Sequence, residues 1–133
     1  MYTFREALVY PGRSTLAVRI LISVMPRMYR EAIALSIHRH QPDFVVRLGP
    51  PEDVIRELGR FNPHLLVSND GDGLNPEALD RVLCWVEVLY TDHMSARIRV
   101  DGRVEEVEDM DLQRLRELVD ETREMVTGAD ASL

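Results

Sequence analysis

Lysine is absent from this chain, and several other features are scarce. All 16 basic residues are arginine, so any site that requires a lysine side chain is excluded. The one cysteine, Cys84, excludes an internal disulfide and a cysteine metal cluster, and we interpret it as a small buried apolar residue. No apolar run approaches the roughly 18 residues of a membrane span, and the N-terminus lacks the pattern of a secretory signal. We therefore expect a cytoplasmic protein without a membrane partner.

The net charge of −7 is concentrated in the last quarter of the chain. Residues 101–133 hold four arginines against eleven acidic residues, whereas residues 1–60 hold nine arginines against six. A nucleic-acid partner is disfavoured, because contacts to phosphates need a concentrated basic surface. The acidic segment is interpreted either as a solvated face or as a docking surface for a basic partner.

The composition indicates one globular domain. Hydrophobic residues make up 45% of the chain, and 133 residues are too few for two ordinary domains. We predict that residues 17–128 form this domain. Residues 1–16 are interpreted as an N-terminal arm with a turn or linker at Pro11-Gly12-Arg13-Ser14, and residues 129–133 as a C-terminal tail.

Short apolar runs alternate with segments of helical periodicity up to residue 90. The predicted strands are residues 18–22, 44–48, 64–68 and 85–90. The predicted helices lie between Pro26 and Pro42, from Pro51 to Asn62, and from Asn75 through Leu83. This alternation with short connections predicts a parallel sheet that is covered by helices on both faces.

The pattern changes after residue 90. About six residues separate the fourth strand from the next apolar run, at 96–100, and a parallel crossover needs a dozen or more. Asp101-Gly102 then joins that run to residues 104–107, which is a strong hairpin signal. A last amphipathic helix is predicted from Asp109 or Asp111 to Gly128. The predicted fold class is α/β, with three α-β-α layers and a mixed sheet: four parallel strands and an antiparallel C-terminal hairpin.

Residues 18–91 resemble the receiver domain of two-component response regulators. The similarity lies in the first strand and the turn and helix start that follow it, Met25-Pro26-Arg27-Met28-Tyr29-Arg30-Glu31-Ala32, and in the third strand with its flanks, Pro63-His64-Leu65-Leu66-Val67-Ser68-Asn69. The resemblance implies a flavodoxin-like fold with strand order 2-1-3-4-5 and a site at the carboxyl ends of the strands.

The resemblance also implies the positions at which receivers carry out phosphoryl transfer to an aspartate. The acidic pair that would hold Mg²⁺ falls on Ser23-Val24, the phosphoacceptor on Asn69, and the hydroxyl on Thr91, which is retained. The lysine has no counterpart in the chain. We therefore expect a degenerate receiver that cannot be phosphorylated.

Two alternatives for the same region stay open at this point. A register slip of one residue would make Asp70 the acceptor and Asp72 a metal ligand, but turn chemistry is the favoured interpretation of both aspartates. Ser23, Asp92 and His93 lack a nucleophile elbow, and the four histidines do not form a metal set. We expect neither an enzyme nor a cofactor or bound metal.

Two functions compete on these grounds. The first is a signalling or protein-interaction module that binds a protein partner or forms a homodimer. Its expected surface comprises Trp85, Tyr90, Ile98, Val100 and Val104. The second is a sensor of a small neutral ligand at the carboxyl ends of the parallel strands. Its expected lining comprises Ser23, Met25, Asn69, Asp70 and Thr91.

Overall fold

The computed structural model describes residues 17–69, 74, 76–79, 82–90 and 94–131. Its strands are β1 (Arg19–Ile22), β2 (Val45–Leu48), β3 (Leu65–Asn69), β4 (Cys84–Tyr90), β5 (Met94–Val100) and β6 (Arg103–Val107). Its α-helices are α1 (Arg27–His40), α2 (Val54–Phe61) and α3 (Leu112–Ala131). Single 3₁₀ turns at Pro51–Asp53 and Pro76–Leu79 precede α2 and β4.

One mixed sheet joins all six strands in the order β2-β1-β3-β4-β5-β6. The first four strands pair in parallel, whereas β5 and β6 are antiparallel to their neighbours. The predicted mixed sheet is confirmed. The connection from β4 to β5 spans only residues 91–93, which is too short for a parallel crossover. The reversed β5 also separates this sheet from the all-parallel, five-strand arrangement that the receiver resemblance implies.

Side chains alternate between the two faces of the sheet, and each face has its own apolar cluster. We call these the α1–α3 face and the α2 face, after the helices that cover them. The α1–α3 face is the larger, and its fully buried residues include Ile20, Ile22, Val86, Ile98 and Leu118. The α2 face is formed by Leu21, Val54, Leu58, Leu66, Leu79 and Trp85. The chain therefore folds into three layers with the sheet in the middle.

Two predicted helix bounds are wrong. In the segment after Asn75, the described residues form the 3₁₀ turn Pro76–Leu79, and Val82 lies outside any helix. The turn places Leu79 on the α2 face. At the other end of the domain α3 continues past Gly128 to Ala131, because Gly128 keeps helical backbone angles and does not cap the helix.

A polar junction fastens α1 to α3 near the carboxyl end of α1. It consists of His40, Gln41, Asp43, Asp120 and Arg123. The Asp120 carboxylate lies 2.9 Å from Nε2 of His40 and accepts a hydrogen bond of 2.8 Å from Nε2 of Gln41, while Arg123 pairs with Asp43. In the described ranges, no helix combines the length and apolarity needed to cross a membrane.

The side chain of Cys84 lies inside the α1–α3 face, as the sequence predicts. It is 1% exposed, and its sulfur accepts a hydrogen bond of 3.3 Å from the Thr122 hydroxyl. Burial raises the pKa of the Cys84 thiol, because the thiolate would lose its hydration there.

The raised pKa of Cys84 predicts a loss of stability in alkali. The protonated thiol stabilises the fold fully below the pKa of the unfolded thiol, and this contribution is lost as the pH rises toward the folded value. Urea unfolding at about pH 7 and about pH 10 should show a larger fall in unfolding free energy for the wild-type chain than for Cys84→Ala. Equal falls in the two proteins would contradict this account.

Candidate functional site

The carboxyl ends of β1 and β3 meet where the resemblance places a site, and a hydrogen bond joins them. The Oδ1 atom of Asn69, at the end of β3, accepts a hydrogen bond of 3.3 Å from the backbone N–H of Met25. Asn69 is only 5% exposed. Its side chain therefore holds the loop after β1 against the end of β3, which is a structural role.

The two residues at the predicted acidic-pair position are completely buried. The Ser23 backbone N–H donates to the Val67 carbonyl at 2.8 Å, and the Ser23 hydroxyl lies 3.4 Å from the same oxygen. Val24 belongs to the apolar cluster of the α1–α3 face. A valine side chain offers no ligand to a cation, and the Ser23 hydroxyl faces a carbonyl group within the protein.

The remaining members of the predicted site lie outside the described residues. These are Asp70, Asp72 and Thr91, together with Asp92 and His93. Of the predicted strand-end residues, the structure brings together Ser23, Val24, Met25 and Asn69. Among the described residues, no group of three histidine, cysteine, aspartate or glutamate side chains has a metal-binding arrangement.

Arg30 is a residue of this region that sequence reasoning missed. It is 9% exposed, and its Nη1 donates a hydrogen bond of 3.1 Å to the carbonyl of Gly49, just after β2. Burial lowers the pKa of the Arg30 guanidinium, and the nearby charge of Arg27 lowers it further. The signal was present in the sequence: Arg30 precedes the buried Ile33 and Ala34 at helical spacing, so it lies on the inner face of α1.

The predicted interaction surface is wrong for two of its five residues. Ile98 is 1% exposed on the α1–α3 face. Trp85 is 7% exposed on the α2 face, where its Nε1 donates a hydrogen bond of 2.8 Å to the Ser68 hydroxyl. Ile98 and Trp85 lie on opposite faces of the sheet and each is packed by an apolar cluster, so alternation in the sequence does not mark an exposed face.

The other three residues of that surface differ in their exposure. Val100 is partly buried against the α1–α3 face, whereas Val104 is 54% exposed. The side chain of Tyr90 lies outside the described residues.

A cleft of about 380 Å³ opens on the α2 face, beside the β5–β6 hairpin; we call it the hairpin cleft. Its apolar lining includes Leu79, Val82, Trp85 and Val104, and its charged lining is Arg99, Asp101 and Arg103. The guanidinium of Arg99 lies 5.1 Å from the centre of the Trp85 ring, at cation–π distance.

Glu87 is a buried carboxylate next to this cleft. It is 6% exposed, and its Oε1 lies 3.1 Å from Nε of Arg99 and 3.6 Å from Nη1 of Arg97. The positive charges of two guanidinium groups therefore offset the desolvation cost of one buried carboxylate. The pairing follows from strand register, since Glu87 lies opposite Arg97 in the antiparallel β4–β5 pair.

Comparisons of the chain with models of known protein families, with curated proteins and with solved structures gave no significant match. The receiver resemblance therefore stays a prediction from the sequence pattern.

The buried contacts at the strand ends predict unequal effects of two alanine substitutions. Asn69→Ala removes the acceptor of the Met25 N–H and should lower the unfolding free energy by about 1–3 kcal/mol. Ser23→Ala is the matched control and should cost no more than about 1 kcal/mol, because the Val67 carbonyl keeps its bond to the Ser23 N–H. Urea denaturation of both variants measures the difference, and equal losses would argue against a structural role for Asn69.

Proposed function

We propose that this chain is a protein-interaction module built on a receiver-like α/β scaffold and that it acts without phosphorylation. The observation that carries the proposal is that the side chains at the carboxyl ends of β1 and β3 are used for packing and for hydrogen bonds within the protein. Ser23 and Val24 are buried, and the Asn69 side chain accepts a hydrogen bond from the backbone of Met25. These groups stabilise the fold: Val24 has no polar side-chain atom, and the side-chain oxygens of Ser23 and Asn69 are engaged with the Val67 carbonyl and the Met25 N–H.

The same contacts lend less support to a sensor of small neutral ligands at this place. Such a sensor would need the polar atoms of Ser23 and Asn69 to turn toward the ligand. The Ser23 hydroxyl instead faces the Val67 carbonyl, and Oδ1 of Asn69 is bonded to the Met25 N–H. A ligand would have to displace both contacts before it could bind.

The hairpin cleft is the surface that best suits a protein partner. Apolar side chains line it beside Arg99, Arg103 and Asp101, so the lining residues carry one net positive charge within an acidic protein, and Arg99 is also paired with the Glu87 carboxylate behind the cleft. Interfaces of this kind favour an aromatic or aliphatic anchor with a charged rim of the opposite sign. The proposed partner is therefore a peptide segment with one large apolar residue flanked by acidic residues.

The first test concerns phosphorylation. Adding Mg²⁺ and beryllofluoride, a mimic of the phosphoryl group, should leave the amide NMR signals of Ser23, Val24 and Asn69 where they lie with Mg²⁺ alone. The reason is that no acidic pair and no lysine are present to hold the metal and the mimic. Saturable shifts centred on Asn69, Asp70 and Thr91 would overturn the proposal.

The second test selects peptides from a random displayed library against the wild-type chain. Selected sequences should contain one large apolar residue next to acidic residues, and they should bind Val104→Glu at least about tenfold more weakly. Val104 is 54% exposed, so its replacement should leave the fold intact.

Ile55→Glu is the matched control for this selection. Ile55 is 57% exposed on α2 and is not among the residues that line the hairpin cleft. Binding should survive in this variant. Selected peptides that are basic, or that bind Val104→Glu as well as the wild-type chain, would contradict the assignment of the cleft.

A further inference from the structure

A second cavity, of about 220 Å³, lies between α1 and α3 over the α1–α3 face. Its floor is the sheet itself, at Val67, Val86 and Val88, and its walls include Ile33 of α1 and Leu115 of α3. All five side chains are at least nine-tenths buried. The cavity therefore reaches down to the sheet between the two helices, and its inner surface is aliphatic.

The way in which the two helices are fastened explains why a cavity opens here. Both helices start at the carboxyl edge of the parallel strands, since β6 runs in the same direction as β4. The polar junction at His40 and Asp120 holds them together near the middle of α3. The cavity lies nearer the start of both helices, where Tyr29 of α1 and Leu112 of α3 line it. Clefts between packed helices are a usual place for a small ligand.

The volume limits the size of an occupant. An apolar cavity of about 150 Å³ takes up benzene, which has six non-hydrogen atoms. By the same scale, about 220 Å³ accommodates a molecule of roughly nine non-hydrogen atoms, such as a fused two-ring system. Drug-sized ligands need pockets of about 300 Å³ or more.

The charge of the lining limits the chemistry of the occupant. Asp111 is the one charged residue among those that line the cavity, and its Oδ1 accepts a hydrogen bond of 2.8 Å from the Arg114 N–H at the start of α3. A carboxylate at the mouth of an apolar cavity disfavours an anionic ligand. We infer that this cavity is a binding site for a small neutral ring compound of about the size of indole. This site is separate from the hairpin cleft and does not depend on the proposed interaction function.

The test is an NMR titration of the full chain with indole. Amide shifts should concentrate at Ile33, Val67, Val86 and Leu115 and should saturate with a dissociation constant on the order of 0.1–1 mM, which is ordinary for so small a ligand. Indole-3-carboxylate, which is anionic, should bind at least about tenfold more weakly than indole.

Two matched variants locate the site. Ala32 lines the cavity and is exposed, so Ala32→Phe places a ring at the mouth without disturbing the core and should weaken indole binding at least about tenfold. Gln113→Phe adds the same ring at an exposed position of α3 that is not part of the lining, and it should bind indole as the wild-type chain does. Shifts that are absent or scattered over the surface, or indole binding that Ala32→Phe leaves unchanged, would overturn the inference.

Discussion

The structure depends on β4, the strand at which parallel pairing changes to antiparallel pairing within the one sheet. On one side β4 pairs in parallel with β3, and on the other it pairs antiparallel with β5. Its side chains alternate between the two faces, with Cys84, Val86 and Val88 toward the α1–α3 face and Trp85 toward the α2 face. Because Cys84, Trp85, Val86, Glu87 and Val88 are all buried, β4 fixes both the core and the position of the hairpin.

Much of the architecture could be predicted because it follows from local rules. Apolar β-branched runs mark the strands, and the length of each connection decides whether the next strand is parallel or antiparallel. The segment after Asn75 departs from these rules: Leu79 and Val82 have helical spacing, but Leu79 ends a 3₁₀ turn and Val82 lies outside any helix. Helical periodicity is a necessary condition for a helix and does not by itself set its length.

The meeting of the strand ends could be predicted, but the contacts made there could not. The carboxyl ends of β1 and β3 meet because the strands are parallel neighbours, an order that the receiver resemblance implies. That Asn69 accepts a bond from Met25, or that Arg30 reaches Gly49, depends on side-chain placement that no spacing rule contains. The burial of Trp85 and Ile98 was missed for a related reason, since alternation does not tell which faces are covered.

The last strand determines how another molecule can approach this sheet. β6 is an edge strand of the sheet, and four of its residues are exposed: Arg103, Val104, Glu105 and Glu106. Charged side chains on an edge strand discourage backbone pairing with a further strand, because pairing would remove water from these charged groups. Growth of the sheet by edge-to-edge addition is thereby disfavoured. The exposed side chains of β6, such as Val104, stay accessible without extending the sheet.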